Sequence, residues 1–402
     1  MSDQIHDTYS VNKIEEGPDK LWVLEIFGAY AGANFSQKRL ERQLTVARTS
    51  GYKFILSRVY EPNMLWNHKT RPEECVFVFD VIHEACENTG FDPSNFKFIS
   101  GNAVVNRCYE GWCEANNITN KIKVVYCDFW ITTVLGLDHD GGEIDCNDHR
   151  ENIQRPKFLT CLNRRFRKQK GDTMAWFYHN KIMEKHADKI ITSFIFDDLD
   201  LTDQGHEFVE NYGEILKSFP SSLEDPDTDR QSQSEMYYDK TYPELMTNAY
   251  EKAVMDSYFD IAIDYVQSED FTEEEFAILK QAFPWWKEMF ISEKVYKVMA
   301  AKKPFLLFNE KGALDFMKKT YAFQTYESVL FDETYDIFDD YDERLDRVLD
   351  EAWKILERFD LAYIHESVYS GGVQAVIRHN HKRVIELAKK YHIMLEQNLK
   401  TF

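Results

Sequence analysis

Short apolar runs separated by longer mixed stretches dominate the first third of the chain. Leu21–Phe27, Phe54–Val59, Val76–Phe79, Phe96–Ser100 and Lys123–Phe129 read as buried strands, with helical patterns between several of them. Strands spaced by helix-length segments predict a doubly wound α/β sheet, in which ligands sit at the carboxyl ends of the strands. From 137 to 154 the periodicity is lost and Asp, Gly, Asn and His accumulate, as expected of an interdomain stretch. A second series opens with the strand Lys157–Leu162, a basic turn through Lys170 and an amphipathic helix to about Lys185. Ile190–Phe196, Ser257–Val266 and Pro304–Phe308 read as further strands, Glu293–Ala301 as a helix and Val373–Phe402 as a long terminal helix. The segment 197–235 is acidic and polar, and its part from Phe219 to Ser234 has no hydrophobic period and reads as a loop or disordered insertion. The expected organisation is an acceptor-side domain over 1–154, a second domain over 155–380, and a C-terminal helix, 381–402, returning toward the first.

The 402 residues exceed the roughly 250–300 at which a single core usually divides, which agrees with two domains. Against 48 Lys and Arg stand 69 Asp and Glu, a formal charge of −21. Such an excess repels a polyanion over most of the surface, so a nucleic-acid coat is disfavoured and any basic site must be local. The seven cysteines are odd in number and lack paired CxxC spacing, so free thiols in a reducing compartment are expected. No run of about 18 apolar residues occurs, so no membrane span is expected and the chain reads as a soluble, cytoplasmic protein.

Two basic islands stand out in this acidic chain. Ser292 is a good N-cap, which places Glu293, Lys294 and Lys297 in the first two turns of a helix whose free amides and dipole attract phosphate. A lysine there can act as a point charge on a diphosphate, and a neighbouring carboxylate can accept hydrogen bonds from ribose hydroxyls. The plain alternative is a capped surface helix with an exposed ion pair. The other island packs seven Lys and Arg between Arg155 and Lys170, where a diphosphate competes with a solvated basic turn or an interdomain salt-bridge patch.

Other constellations point more weakly to chemistry. Asp138-His-Asp140, with Glu143, Asp145, Cys146 and His149, has metal-ligand residue types, but its two glycines and irregular spacing favour a flexible acidic loop, and Asp197–Asp200 favours a surface turn. His379-Asn380-His381 precedes the last helix and is placed to reach a cleft or to sit at the surface. The aromatic stretch Phe283–Phe290 could stack a base or a sugar ring, but such a cluster is more often core. The acidic run from Asp332 to Glu351 is expected to form a solvated helix face.

The segment Ile291-Ser-Glu-Lys-Val-Tyr-Lys297, followed by Lys303-Pro-Phe-Leu-Leu307, resembles the "(S/T)EK-x-(Y/W)" donor motif of fucosyltransferase-like glycosyltransferases, and more closely that of their phage and viral relatives. The strand-to-basic-turn segment Lys157–Lys170 is similar to the opening of the donor domain in the same enzymes. Asn95–Asn102 and Tyr109–Trp112 are like the acceptor-domain pattern of the viral relatives, and Tyr326–Asp336 with Arg344 is like their acidic stretch and following Arg. The resemblance implies a GT-B fold, two Rossmann-like domains facing a cleft, and metal-independent transfer of a sugar from a nucleotide-sugar to a glycan or other hydroxyl acceptor. No cofactor is implied, because the nucleotide-sugar is a co-substrate.

Carried over by the resemblance, Glu293 would bind the donor ribose, Lys294 the diphosphate, and Tyr296 would line the nucleotide pocket. Lys170 occupies the place of a phosphate-contacting Arg. Since Lys lacks the bidentate fork, either Arg165 or Arg167 takes the role, within the cluster Asn163, Arg164, Arg165, Arg167 and Lys170, or the diphosphate is held more loosely. A carboxylate from the N-terminal domain would act as base on the acceptor, and Asp80, ending the Val76–Phe79 strand, is the candidate, with a helix cap as its plain alternative. Two other functions remain open: a non-catalytic interaction protein with a degenerate GT-B fold, and a sugar transferase acting on hydroxymethylated DNA bases. The latter needs a second basic surface, for which the N-terminal domain offers only scattered Lys38, Arg39, Arg42, Arg58, Lys69 and Arg71.

Overall fold

A computed structural model describes residues 8–27, 37–59, 72–132, 134, 154–163, 168–194, 208–213, 257–263, 273–285, 289–327 and 329–402. The chain is a mixed α/β protein that divides into two compact units. The first comprises Met1–Thr132, Asp270–Phe290 and Lys389–Phe402, and the second Thr133–Glu269 and Ile291–Ala388. This division differs from the one read from the sequence: the first unit ends at Thr132 and takes in residues 270–290 from the later half of the chain.

In the first unit, β1 (Thr8–Ile14) pairs antiparallel with β2 (Leu21–Phe27), and β3 (Lys53–Arg58), β4 (Phe96–Ser100) and β5 (Lys123–Tyr126) follow as parallel neighbours in chain order. Helices α1 (Gln37–Thr49), α2 (Val78–Thr89) and α3 (Val105–Ala115) make the crossovers. Each crossover advances one strand in the same direction, so the usual right-handed connection puts all three helices on one face. Trp22, Leu24, Phe54, Leu56, Phe96 and Phe98 alternate onto that face and join Leu44, Ile82 and Trp112 in one core.

The opposite face carries Lys97, which is fully buried. Its ammonium donates to the carbonyls of Asn398, at 3.1 Å, and Thr401, at the carboxyl end of the last helix, where the helix dipole favours a cation. The ring of Phe402 lies against Lys97 and Lys53, at 5.5 and 4.7 Å, so the end of the chain covers this side of the sheet.

The expected strand at Val76–Phe79 is instead the entry to α2. Its apolar positions continue as Val81, Ile82, Ala85 and Cys86, all buried, which is a helical period once the run is followed past residue 79. The aromatic stretch beginning at Phe283 is partly core: the rings of Phe283 and Trp285 pack on Phe77 at 5.0 and 4.8 Å. Trp285 lies so close to α3 that a Cβ on Gly111 would fall 2.1 Å from the Trp285 Cβ.

In the second unit, β6 (Lys157–Asn163), β7 (Ile190–Phe194), β8 (Ser257–Ile263) and β9 (Phe305–Phe308) form a wholly parallel sheet in the order β7-β6-β8-β9. Helix α4 (Lys168–His179) lies between β6 and β7 in the chain, α5 (Glu293–Ala300) precedes β9, and α6 (Tyr341–Arg358), α7 (Leu361–Val368) and α8 (Gly371–Lys400) follow it. At the β9 edge, the Leu307 N–H donates to the Tyr335 hydroxyl and the Tyr326 hydroxyl donates to the Lys303 carbonyl, each at 3.3 Å, so side chains satisfy backbone groups that a further strand would take.

The acidic run from Asp332 does not form a wholly solvated face. Glu333, Asp336 and Glu351 are buried with Arg344, because their carboxylates accept backbone N–H groups that would otherwise be stranded. Of the 197–235 segment only 208–213 is described, and it is helical. The terminal helix starts at Gly371, so His379, Asn380 and His381 lie inside it rather than before it. They bond backbone groups of Ala322, Gln324 and Ala300. Among the described residues no helix is long and apolar enough to cross a membrane.

Candidate functional site

Among the described strands the order of the second sheet reverses once. From β6 the chain passes to β7 on one side, then returns to place β8 and β9 on the other, so β6 and β8 flank a switch point. In parallel α/β sheets the crevice for ligands lies there, at the carboxyl ends of the strands, because the helices on the two sides diverge. The β6 edge ends at Asn163, which pairs with Phe194, and the β8 edge ends at Ile263, which pairs with Phe308.

Lys294 stands at this edge. Ser292 accepts the Lys294 N–H at 3.3 Å and so caps α5, and the Lys294 ammonium donates to the Ile263 carbonyl at 3.2 Å, the last residue of β8. Among the described residues the ammonium bonds this one carbonyl, which leaves donors and charge for an anion. Lys297 is half-buried one turn further along α5. Tyr296 is fully buried, its ring 6.4 Å from Tyr321 and 6.5 Å from Phe323, so it packs in the core. Glu293 is the first residue of α5 and Asn163 the last of β6.

The basic island splits by location. Arg155 and Lys157 belong to the amino end of β6, where Arg155 donates to the Ser257 carbonyl at 2.6 Å and Lys157 to those of Ala187 and Asp188. Lys168 begins α4 with its ammonium 3.0 Å from Asp172 and 4.2 Å above the Tyr341 ring. Lys170 is buried in the first turn of that helix. Arg164, Arg165 and Arg167 fall between the end of β6 and the start of α4 in the chain, outside the described residues.

Toward the amino ends of β8 and β9 lies a buried polar group that the sequence did not reveal. The Lys303 side chain is fully buried, its ammonium donating to Ser257 Oγ at 2.7 Å and Thr160 Oγ1 at 3.1 Å, with Asp260 Oδ2 at 4.0 Å. Burial pulls the Lys303 ammonium down and pushes the Asp260 carboxyl up, while the charges of Lys303 and Lys294 oppose the rise at Asp260. The one available signal was Asp260 itself, an ionisable residue inside an apolar strand run.

Asp80 lies in the first unit as the third residue of α2, not at a strand end. Its Oδ2 accepts the Phe77 N–H at 2.6 Å and its Oδ1 the Trp112 indole N–H at 2.9 Å, so both oxygens serve the helix cap and its neighbour. Burial raises its carboxyl above the usual range. His83, one turn on, bonds the Tyr109 hydroxyl at 3.0 Å, and burial lowers it to about 4, which keeps it neutral near pH 7. The described cysteines are free thiols, and burial lifts Cys86 and Cys127 to about 12, far from nucleophilic use. The cluster from Asp138 to His149 lies outside the described residues, and among the described ones no group of three His, Cys, Asp or Glu could hold a metal ion. Comparison of the sequence with protein-family models and with curated proteins finds no match, so the site has to be read from its own chemistry.

Proposed function

We propose that the chain is a metal-independent glycosyltransferase, similar to the fucosyltransferase-like GT-B enzymes, that moves a sugar from a nucleotide-sugar to a hydroxyl acceptor. The observation that supports this reading is the position of Lys294 at the carboxyl end of β8, beside the switch point and at the capped start of α5. As the sugar–phosphate bond breaks, the anomeric centre becomes oxocarbenium-like and negative charge gathers on the departing diphosphate. A fixed cation there stabilises the transition state more than the ground state. Lys294 is that cation in this reading, Glu293 holds the ribose, and Arg165 or Arg167 supplies the bidentate contact that Lys170 lacks. The GT-B arrangement of the two units, with the acceptor on the first, belongs to the same proposal.

The test is calorimetric titration of wild-type and Lys294→Ala protein with nucleoside diphosphates. Loss of one charge-assisted contact of about 1.5–3 kcal/mol should weaken binding roughly tenfold or more. Wild-type-like binding by a folded Lys294→Ala protein would contradict the assignment.

A further inference from the structure

Arg344 is a buried guanidinium whose hydrogen-bonding capacity is half used. Nη1 donates to the Phe338 carbonyl at 2.7 Å and to the Asp339 carbonyl at 3.5 Å, while Nε is buried and has no partner among the described residues. The guanidinium carbon lies 5.5 Å from the centre of the Phe308 ring, so an aromatic seat and one anchored nitrogen hold its plane in place. An unmade donor on a buried cation is costly, and burial does depress the Arg344 side chain below its ordinary value. A structural arginine at this position would be expected to spend all its donors on carbonyls or carboxylates. Asp336, one of its acidic neighbours, uses its two oxygens on the N–H groups of Leu314 and Asp315 instead.

The placement of the side chain suggests what the unused donor is for. Phe308 is the last residue of β9 and pairs with Ile263, the last residue of β8, whose carbonyl holds Lys294. Tyr341 packs edge-on against Phe308 at 5.3 Å and carries the ammonium of Lys168 on its ring, at the start of the helix that follows β6. Lys168, Arg344 and Lys294 thus belong to one carboxyl edge, reached from the ends of β6, β9 and β8.

We infer that Arg344 is a contact for the oxyanion of a diphosphate at this edge, presenting Nε and the neighbouring amino group as a fork while Nη1 stays anchored. The inference rests on the proposed donor site and extends it. Lys294 supplies a point charge and Arg344 supplies direction, which a lysine cannot.

The probe is inorganic pyrophosphate, titrated calorimetrically into wild-type, Lys294→Ala, Arg344→Lys and Arg344→Met proteins, with thermal melts as the fold control. Arg344→Lys keeps the charge and loses the fork. Arg344→Met keeps an unbranched side chain on Phe308 without a buried charge, and so remains informative if the lysine variant does not fold. Both Arg344 variants are expected to bind pyrophosphate roughly tenfold or more weakly than wild type. Wild-type-like binding by either folded Arg344 variant, with binding lost in Lys294→Ala, overturns the role of Arg344 and leaves the donor site standing. Absence of pyrophosphate and nucleoside diphosphate binding by the wild-type protein overturns both.

Discussion

The two sheets are built from the same kinds of strand and helix, yet only one reverses its strand order. In the first, β2 to β5 advance in a single direction, three helices share a face and the end of the chain covers the other. In the second, β8 returns past β6, and the carboxyl edge collects Lys294, Lys168 and Arg344. The acidic character of the chain sharpens the contrast, because three cations gathered at one edge stand out against a charge of −21. Composition therefore says little about function here, and the direction in which the strands are laid down says more.

The largest expected effect separates the units by stability. Gly111→Val would drive side-chain atoms into Trp285, and overpacking at this close approach should cost about 3 kcal/mol or more in chemical denaturation. The folded fraction should still bind nucleoside diphosphates, since the donor site is assigned to the other unit. Loss of binding by folded Gly111→Val protein would break the comparison.

A second substitution tests the buried acid beside β9. The Glu333 side chain has one oxygen on the Glu327 N–H and the other without a partner among the described residues, and burial lifts its carboxyl from 4.5 to about 7. A raised folded-state value means that the native protein binds the proton more tightly. The contribution is complete below about pH 4.5 and is lost as the pH rises through about 7. Glu333→Gln should therefore be more stable than wild type at pH 8.5, by on the order of 2–3 kcal/mol, and differ little at pH 4. Denaturation curves that shift equally at both pH values would contradict the titration.

The smallest expected effect is at the cap. Ser292→Ala removes the acceptor for the Lys294 N–H and should cost about 1 kcal/mol in stability. If the capped helix start also serves the anion, diphosphate affinity falls with it by a few-fold, well short of the Lys294→Ala loss.

How much of this could be read from the sequence varied with how local the cause was. Leu21–Phe27 and Phe96–Ser100 have the bounds that their apolar runs predict, and Ser292 caps the helix as its residue type suggests. Thr8–Ile14 carries no apolar run that would mark it, because it is a largely polar strand paired with β2. Val76–Phe79 is too short to show its period, because four residues cannot separate a strand from the first turn of a helix. At the candidate site, Lys294 was legible from its cap and its motif. Lys303 acts through contacts 46 and 143 residues away along the chain, and Arg344 and Asp260 through burial among other elements, which residue type alone does not show.

The central claim is that the reversed sheet holds a nucleotide-sugar. A thermal-shift screen of wild-type protein against nucleoside diphosphates and nucleotide-sugars tests it most directly, because a ligand that binds only the native state at about a hundred times its Kd adds about 2.7 kcal/mol. The account predicts a rise of several degrees with one nucleoside diphosphate and its sugar conjugates, absent in Lys294→Ala. A screen in which no nucleotide raises the melting temperature would contradict it.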